Sequence, residues 1–120
     1  MFRVLFLILF AMSSCAFAQT QEKKEAYKFF EYEQIGRKLL EEKIQSFCTE
    51  IDKTGWVGQI INYGTPNEIE KREDQLKAGF SAVFPQSCHD TRIIFIRGGE
   101  EEKSKTRFWI VPPGENAPGL

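Results

Sequence analysis

Histidine is almost missing from this chain: His89 is the only one among 120 residues. A histidine-built metal centre is therefore excluded, and imidazole acid–base chemistry has one place to occur. His89 stands beside Asp90, which is half of a catalytic pair, but no serine motif accompanies it and the pair reads as a turn. An excess of charge is missing too. Lys and Arg total 16 against 17 Asp and Glu, a net charge of −1. Such a balance supplies neither the basic face that nucleic acid demands nor a polybasic segment for anionic lipid. Long hydrophobic runs, repeats and dividing linkers are also absent. The acidic run Glu100-Glu101-Glu102 lacks the convergence that a hard cation needs and reads as solvated charge, so neither metal nor cofactor is expected. Glu41-Glu42 and Glu68-Glu70 fall on exposed helix faces, with nothing to raise their pKa values as an acid catalyst requires. The expectation is a protein that is not an enzyme.

What is present begins at the N-terminus. Residues 1–18 carry Arg3, then the apolar run Val4–Met12, then Ala16-Phe17-Ala18, the layout of a secretory signal peptide. The run is too short for a permanent membrane span, which takes about 20 apolar residues. Export places the protein in the periplasm or outside the cell, beginning at Gln19. A second reading stays open, because Met12-Ser13-Ser14-Cys15 loosely resembles a lipoprotein cleavage box and would make Cys15 a lipid anchor. Loss of the leader removes Arg3 and leaves 102 residues with a net charge of −2. That length suffices for one domain.

Residues 19–26 form a polar leader. Tyr27–Tyr32 (YKFFEY) is aromatic and roughly alternating, which suits a strand. Ile35, Leu39, Leu40, Ile44, Phe47, Cys48 and Ile51 recur at helical spacing and predict an amphipathic helix from Gln34 to Asp52, ended by Gly55. Trp56–Tyr63 is a second strand. Thr65-Pro66-Asn67-Glu68 is a capping box with proline at the first helical position, and Thr65 and Glu68 cap a helix from Pro66 to Val83. Ile69, Leu76, Phe80 and Val83 form its apolar stripe. Arg92–Arg97 (RIIFIR) reads as a central strand buried on both faces. Phe108–Val111 makes the last strand, and the segment 112–120 reads as a loose Pro/Gly-rich tail. Trp56 and Trp109 are core or edge aromatics, with Trp56 partly exposed between its neighbouring glycines.

The order strand, helix, strand, helix, strand, strand predicts a two-layer α/β sandwich with a four-stranded mixed sheet. Both helices lie on one face, with parallel pairing across each helix, and the last two strands form a hairpin or a longer-range antiparallel pair. Cys48 and Cys88 survive the leader, and two cysteines in an oxidising compartment favour a disulfide. The expected topology brings the ends of both helices to one edge of the sheet. Closing that loop adds about 4 kcal/mol in the chain-entropy model. Two further readings are free structural thiols and a reactive or metal-binding cysteine beside His89.

Over Tyr27 to Val111 this element order resembles the OmpA-like C-terminal domain. In addition, QIINYGTP, RIIFIRGG and RFWIVPPG resemble segments of the form GYIIVYGG, RIVTVDGG and ELWIVPPG in short exported bacterial proteins of no assigned function. The OmpA-like resemblance implies an envelope-associated module that binds peptidoglycan through a GHTD turn and a helix carrying NxxLSxxRA. There the Asp and the Arg hold the diaminopimelate of the stem peptide. Gly64 matches the turn glycine, and Arg72 lies seven residues past Thr65, as the family arginine lies past its cap. The intervening loop is shorter here, and Asn67 falls at the offset of the Asp without its charge. The residues themselves allow another role for Arg72, its stem laid over apolar surface and its head in water. The alternative to a wall-binding module is a protein–protein adaptor or assembly factor of the envelope, using the open side of the sheet or the tail.

Overall fold

The computed structural model describes residues 25–83, 92–101 and 103–119. The leader, Cys15, Cys88, His89, Asp90 and Glu102 lie outside the described residues. Strand β1 (Tyr27–Tyr32) leads into helix α1 (Arg37–Thr54), then β2 (Val57–Tyr63), α2 (Pro66–Val83), β3 (Ile93–Gly99) and β4 (Lys105–Val111). The fold is the expected α/β arrangement of a four-stranded mixed sheet and two helices.

Helix α1 starts three residues later than the periodicity suggests. Gly36 takes the extended N-cap conformation, which leaves Gln34 and Ile35 in the preceding loop. At its other end Gly55 adopts φ 72° and donates its N–H to Ile51 O, the left-handed stop that glycine makes without a Cβ penalty. Helix α2 has the predicted bounds.

The sheet order is β1-β4-β2-β3. Strands β2 and β3 are parallel, while β4 runs antiparallel to both β1 and β2. Two expectations fail here. RIIFIR is not central: β3 is an edge strand, half-exposed along its length, with Ile94 47 % accessible. Nor do the last two strands form a hairpin; β4 makes longer-range antiparallel pairs instead, with β1 and β2. After β3 the chain crosses past β2, and β4 inserts between β1 and β2, splitting the first β-α-β unit, so β1 and β2 are parallel in direction without touching. The centre belongs to WVGQIINY, whose Gly58 to Tyr63 are all buried.

Alternation assigns the two faces. Gly58, Ile60, Phe108 and Ile110 face the helices and meet Leu40, Ile44, Phe47, Cys48, Ile51 and Leu76 in one core. Strand β1 feeds this core with more than its share of aromatics. A bulge between Lys28 and Phe30 breaks the alternation and turns Phe29 and Phe30 to the same side. Phe29 packs on Phe47 and Phe30 on Phe108, with ring centroids 5.4 and 6.1 Å apart. Cys48 is 1 % exposed within this core.

Gln59, Ile61, Tyr63, Trp109 and Val111 point the other way. The segment after β4 is not loose there: it folds back beneath the sheet, and Ala117 is buried among Ile61, Tyr63 and Val111. Its N–H donates to Gln59 Oε1 at 2.9 Å, and Gln59 Nε2 donates to Glu115 O at 3.3 Å. Gln59 satisfies the main chain that its own burial would otherwise leave unpaired.

Candidate functional site

Three segments converge at the end of the sheet where β1 finishes. They are the loop after Tyr32, the first turns of α2, and the start of β4. Together Phe30, Tyr32, Glu33, Leu39, Glu68, Arg72 and Ser104 line an open groove of about 860 Å³. Leu39, expected in the core stripe of α1, is 47 % exposed and forms part of this wall.

The capping box sets the entry of α2. Thr65 N donates to Glu68 Oε1 at 2.9 Å and Glu68 N donates to Thr65 Oγ1 at 3.3 Å. The backbone N–H of Thr65, with smaller help from its hydroxyl, holds the Glu68 carboxyl below the usual carboxylate range. Asn67, on the same turn, is exposed and is not among the groove residues.

Arg72 lies one turn further and is committed inward. Its Nε donates to Ser104 Oγ, Nη1 to Thr106 Oγ1 at 3.1 Å, and Nη2 to Ser104 O at 2.9 Å as well as to Glu33 O. Thr106 passes the chain on, donating to Asn62 Oδ1 at 2.6 Å in the buried centre of the sheet. The guanidinium also sits 5.6 Å from the Tyr32 ring centroid, within cation–π range. The sequence reading of a wet arginine head is thus corrected: the stem does flank the helix stripe, but the head ties α2 to both β1 and β4. Of the five N–H donors of a guanidinium, four serve these bonds.

Tyr32 is the residue the sequence did not single out. It is 7 % exposed, it lines the groove, and its hydroxyl has no hydrogen-bond partner among the described residues. Burial pushes its phenol up, only partly offset by the neighbouring Thr106 and Arg72. A buried hydroxyl without a partner costs about 1–3 kcal/mol. The sequence signal was the position alone, a tyrosine closing an aromatic strand.

Other charged groups are paired as well, Glu31 of the groove wall among them. Arg97 bonds Glu73 at 2.9 Å, Arg92 pairs with Asp52, and Arg107 with Glu31. Among the described residues no group of His, Cys, Asp and Glu is placed to hold a metal, and no helix is long and apolar enough to cross a membrane. Chemically the groove brings Glu33 and Glu68 beside Arg72, and the buried Tyr32 hydroxyl lies beneath its surface. That set suits a polar ligand carrying both acceptor and cationic groups. No protein-family model, no curated protein and no solved structure matches this chain.

Proposed function

We propose that this chain is an exported, non-enzymatic binding or envelope-associated structural module, cell-wall associated through the groove at Tyr32 and Arg72. The Tyr32 hydroxyl, buried beneath the groove and without a hydrogen-bond partner among the described residues, is the observation that supports a ligand there, since a ligand acceptor reaching it as the wall shifts would relieve its cost. The OmpA-like resemblance makes peptidoglycan the first ligand to try, with Arg72 turning its remaining N–H to a carboxylate. Asn67, exposed and outside the groove, serves at most its rim.

Export by residues 1–18, or anchoring at Cys15, belongs to the same reading, as does a Cys48–Cys88 bridge joining the helix core to the segment before β3. Intact mass of protein from its native envelope, with and without reductant, separates these possibilities. A chain from Gln19 two hydrogens lighter than the dithiol supports export and the bridge. A lipid adduct on Cys15 replaces soluble export with an anchor.

The groove itself is tested by co-sedimentation with purified peptidoglycan. The wild-type chain is expected to be retained, and Tyr32→Phe to bind about 2–10-fold more weakly for the loss of one hydrogen bond. Its melting temperature should not fall. No retention of the wild type, or equal retention of Tyr32→Phe, overturns the proposal. A second reading, a protein–protein adaptor, is favoured by a separate observation, the peptide-like seat of residues 115–117 on the other face of the sheet.

A further inference from the structure

The face of the sheet turned away from the helices already holds a short peptide stretch, residues 115–117 of its own C-terminal segment, set between two turns. The manner of holding is informative. Gln59 accepts from the Ala117 N–H at 2.9 Å and donates to the Glu115 carbonyl at 3.3 Å. These two bonds go to main chain, which any sequence provides, and Gln59 Nε2 also reaches Asn116 Oδ1 at 3.5 Å. Among the described residues of the segment, the one side chain buried beneath the sheet is a methyl group, Ala117, 3 % exposed against Ile61, Tyr63 and Val111. Directly across the β2–β4 ladder from Gln59 stands Trp109. Its indole N–H is buried and has no hydrogen-bond partner among the described residues. The apolar strip continues beyond the seated segment through Ile96 to Ile94, which is 47 % exposed.

We infer that this face is a docking surface for an extended peptide segment of a partner protein, and that residues 115–117 are its resident occupant. The partner segment would offer a main-chain carbonyl and N–H two residues apart to Gln59, a small apolar side chain to the Ala117 seat, and a carbonyl to Trp109 Nε1. Its further apolar side chains would cover Ile96 and Ile94. The inference rests on the adaptor reading and is independent of the groove, which lies at the end of the sheet.

The test uses the full chain and a fluorescein-labelled nonapeptide of the tail sequence, PPGENAPGL. Ala117→Glu places a charge in the apolar seat and frees the face. Fluorescence anisotropy should show the labelled peptide binding this variant at least about tenfold more tightly than wild type, whose tethered segment competes at high effective concentration. Adding Gln59→Leu should abolish the binding while circular dichroism stays unchanged. Equal binding to wild type and Ala117→Glu, or no binding to a folded Ala117→Glu chain, overturns the inference. Loss of the folded state in Ala117→Glu also overturns it, because the segment would then be part of the core rather than an occupant.

Discussion

Asn62 and Thr106 face each other across the two central strands, both fully buried, joined by a hydrogen bond of 2.6 Å. The pair sits at the inner end of a chain that starts at Arg72, so a change at Thr106 is felt in three elements. Thr106→Val leaves Asn62 Oδ1 and one Arg72 N–H without their partner and is expected to cost about 1–3 kcal/mol. Urea denaturation measures it. Because Asn62 Nδ2 already lacks a partner among the described residues, Asn62→Leu combined with Thr106→Val should cost less than the two single changes added together. Additive costs would mean that the two residues are not coupled.

Gly58 is where α1 comes closest to the sheet. A Cβ there would lie 2.6 Å from Ile51 Cδ1 and 2.7 Å from Phe47 Cζ. Gly58→Ala should destabilise by about 1–3 kcal/mol, the usual cost of overpacking a filled core. Thermal unfolding reads this directly. Pairing it with Ile51→Val should restore part of the loss, and no rescue at all would point to the Phe47 ring instead.

Thr65→Ala removes one half of the capping box and should cost about 1 kcal/mol. Asn at the same position should recover most of it. A variant with unchanged stability in chemical denaturation would show that proline at the first helical position suffices to start α2.

Acid should weaken the fold through Glu31 and Glu68. The hydrogen bond from Arg107, then the charges of Lys28 and Arg107, hold Glu31 below its ordinary value of 4.5, and the Thr65 cap does the same for Glu68. Both carboxyls have a lower pKa folded than unfolded. Their contribution is therefore complete above the unfolded value and declines as the pH falls from there through the folded one. Denaturation midpoints should be flat from pH 7 to about 5 and drop below 4.5. Glu31→Gln with Glu68→Gln should flatten that drop, and an unchanged profile would assign it to other groups.

Legibility followed the range of the interaction. Thr65, Pro66 and Glu68 are neighbours, so the start of α2 could be read to the residue. Gly55 marked the end of α1 for the same reason. The sheet order could not be read this way, because RIIFIR is as apolar as a central strand and its place depends on β4 entering on the far side of β2. The bulge that aims Phe29 and Phe30 together was likewise invisible in a pattern that looked nearly alternating. Arg72 was singled out, but its partners stand 32 to 39 residues away and no spacing rule reaches them. Tyr32 and Gln59 were missed because each looks ordinary in its strand and gains meaning only from what lies opposite. The tail was misjudged by composition: Pro and Gly excluded a helix or a strand, but they did not exclude a buried seat for Ala117.

Strand β1 hydrogen-bonds to β4 alone among the strands. The first strand of the domain therefore waits for the last. A nascent chain that has emerged only as far as Gly99 can assemble the β2–β3 pair, while Tyr27, Phe29, Phe30 and Tyr32 have no neighbouring strand to join. Closing the sheet requires joining two ends of the domain some 80 residues apart, Tyr27 to Ile110. Contacts of that span slow folding. The domain thus becomes whole only when Lys105–Val111 arrives, and a product stopped short of that strand is not a smaller version of the fold but an aromatic strand left without its partner.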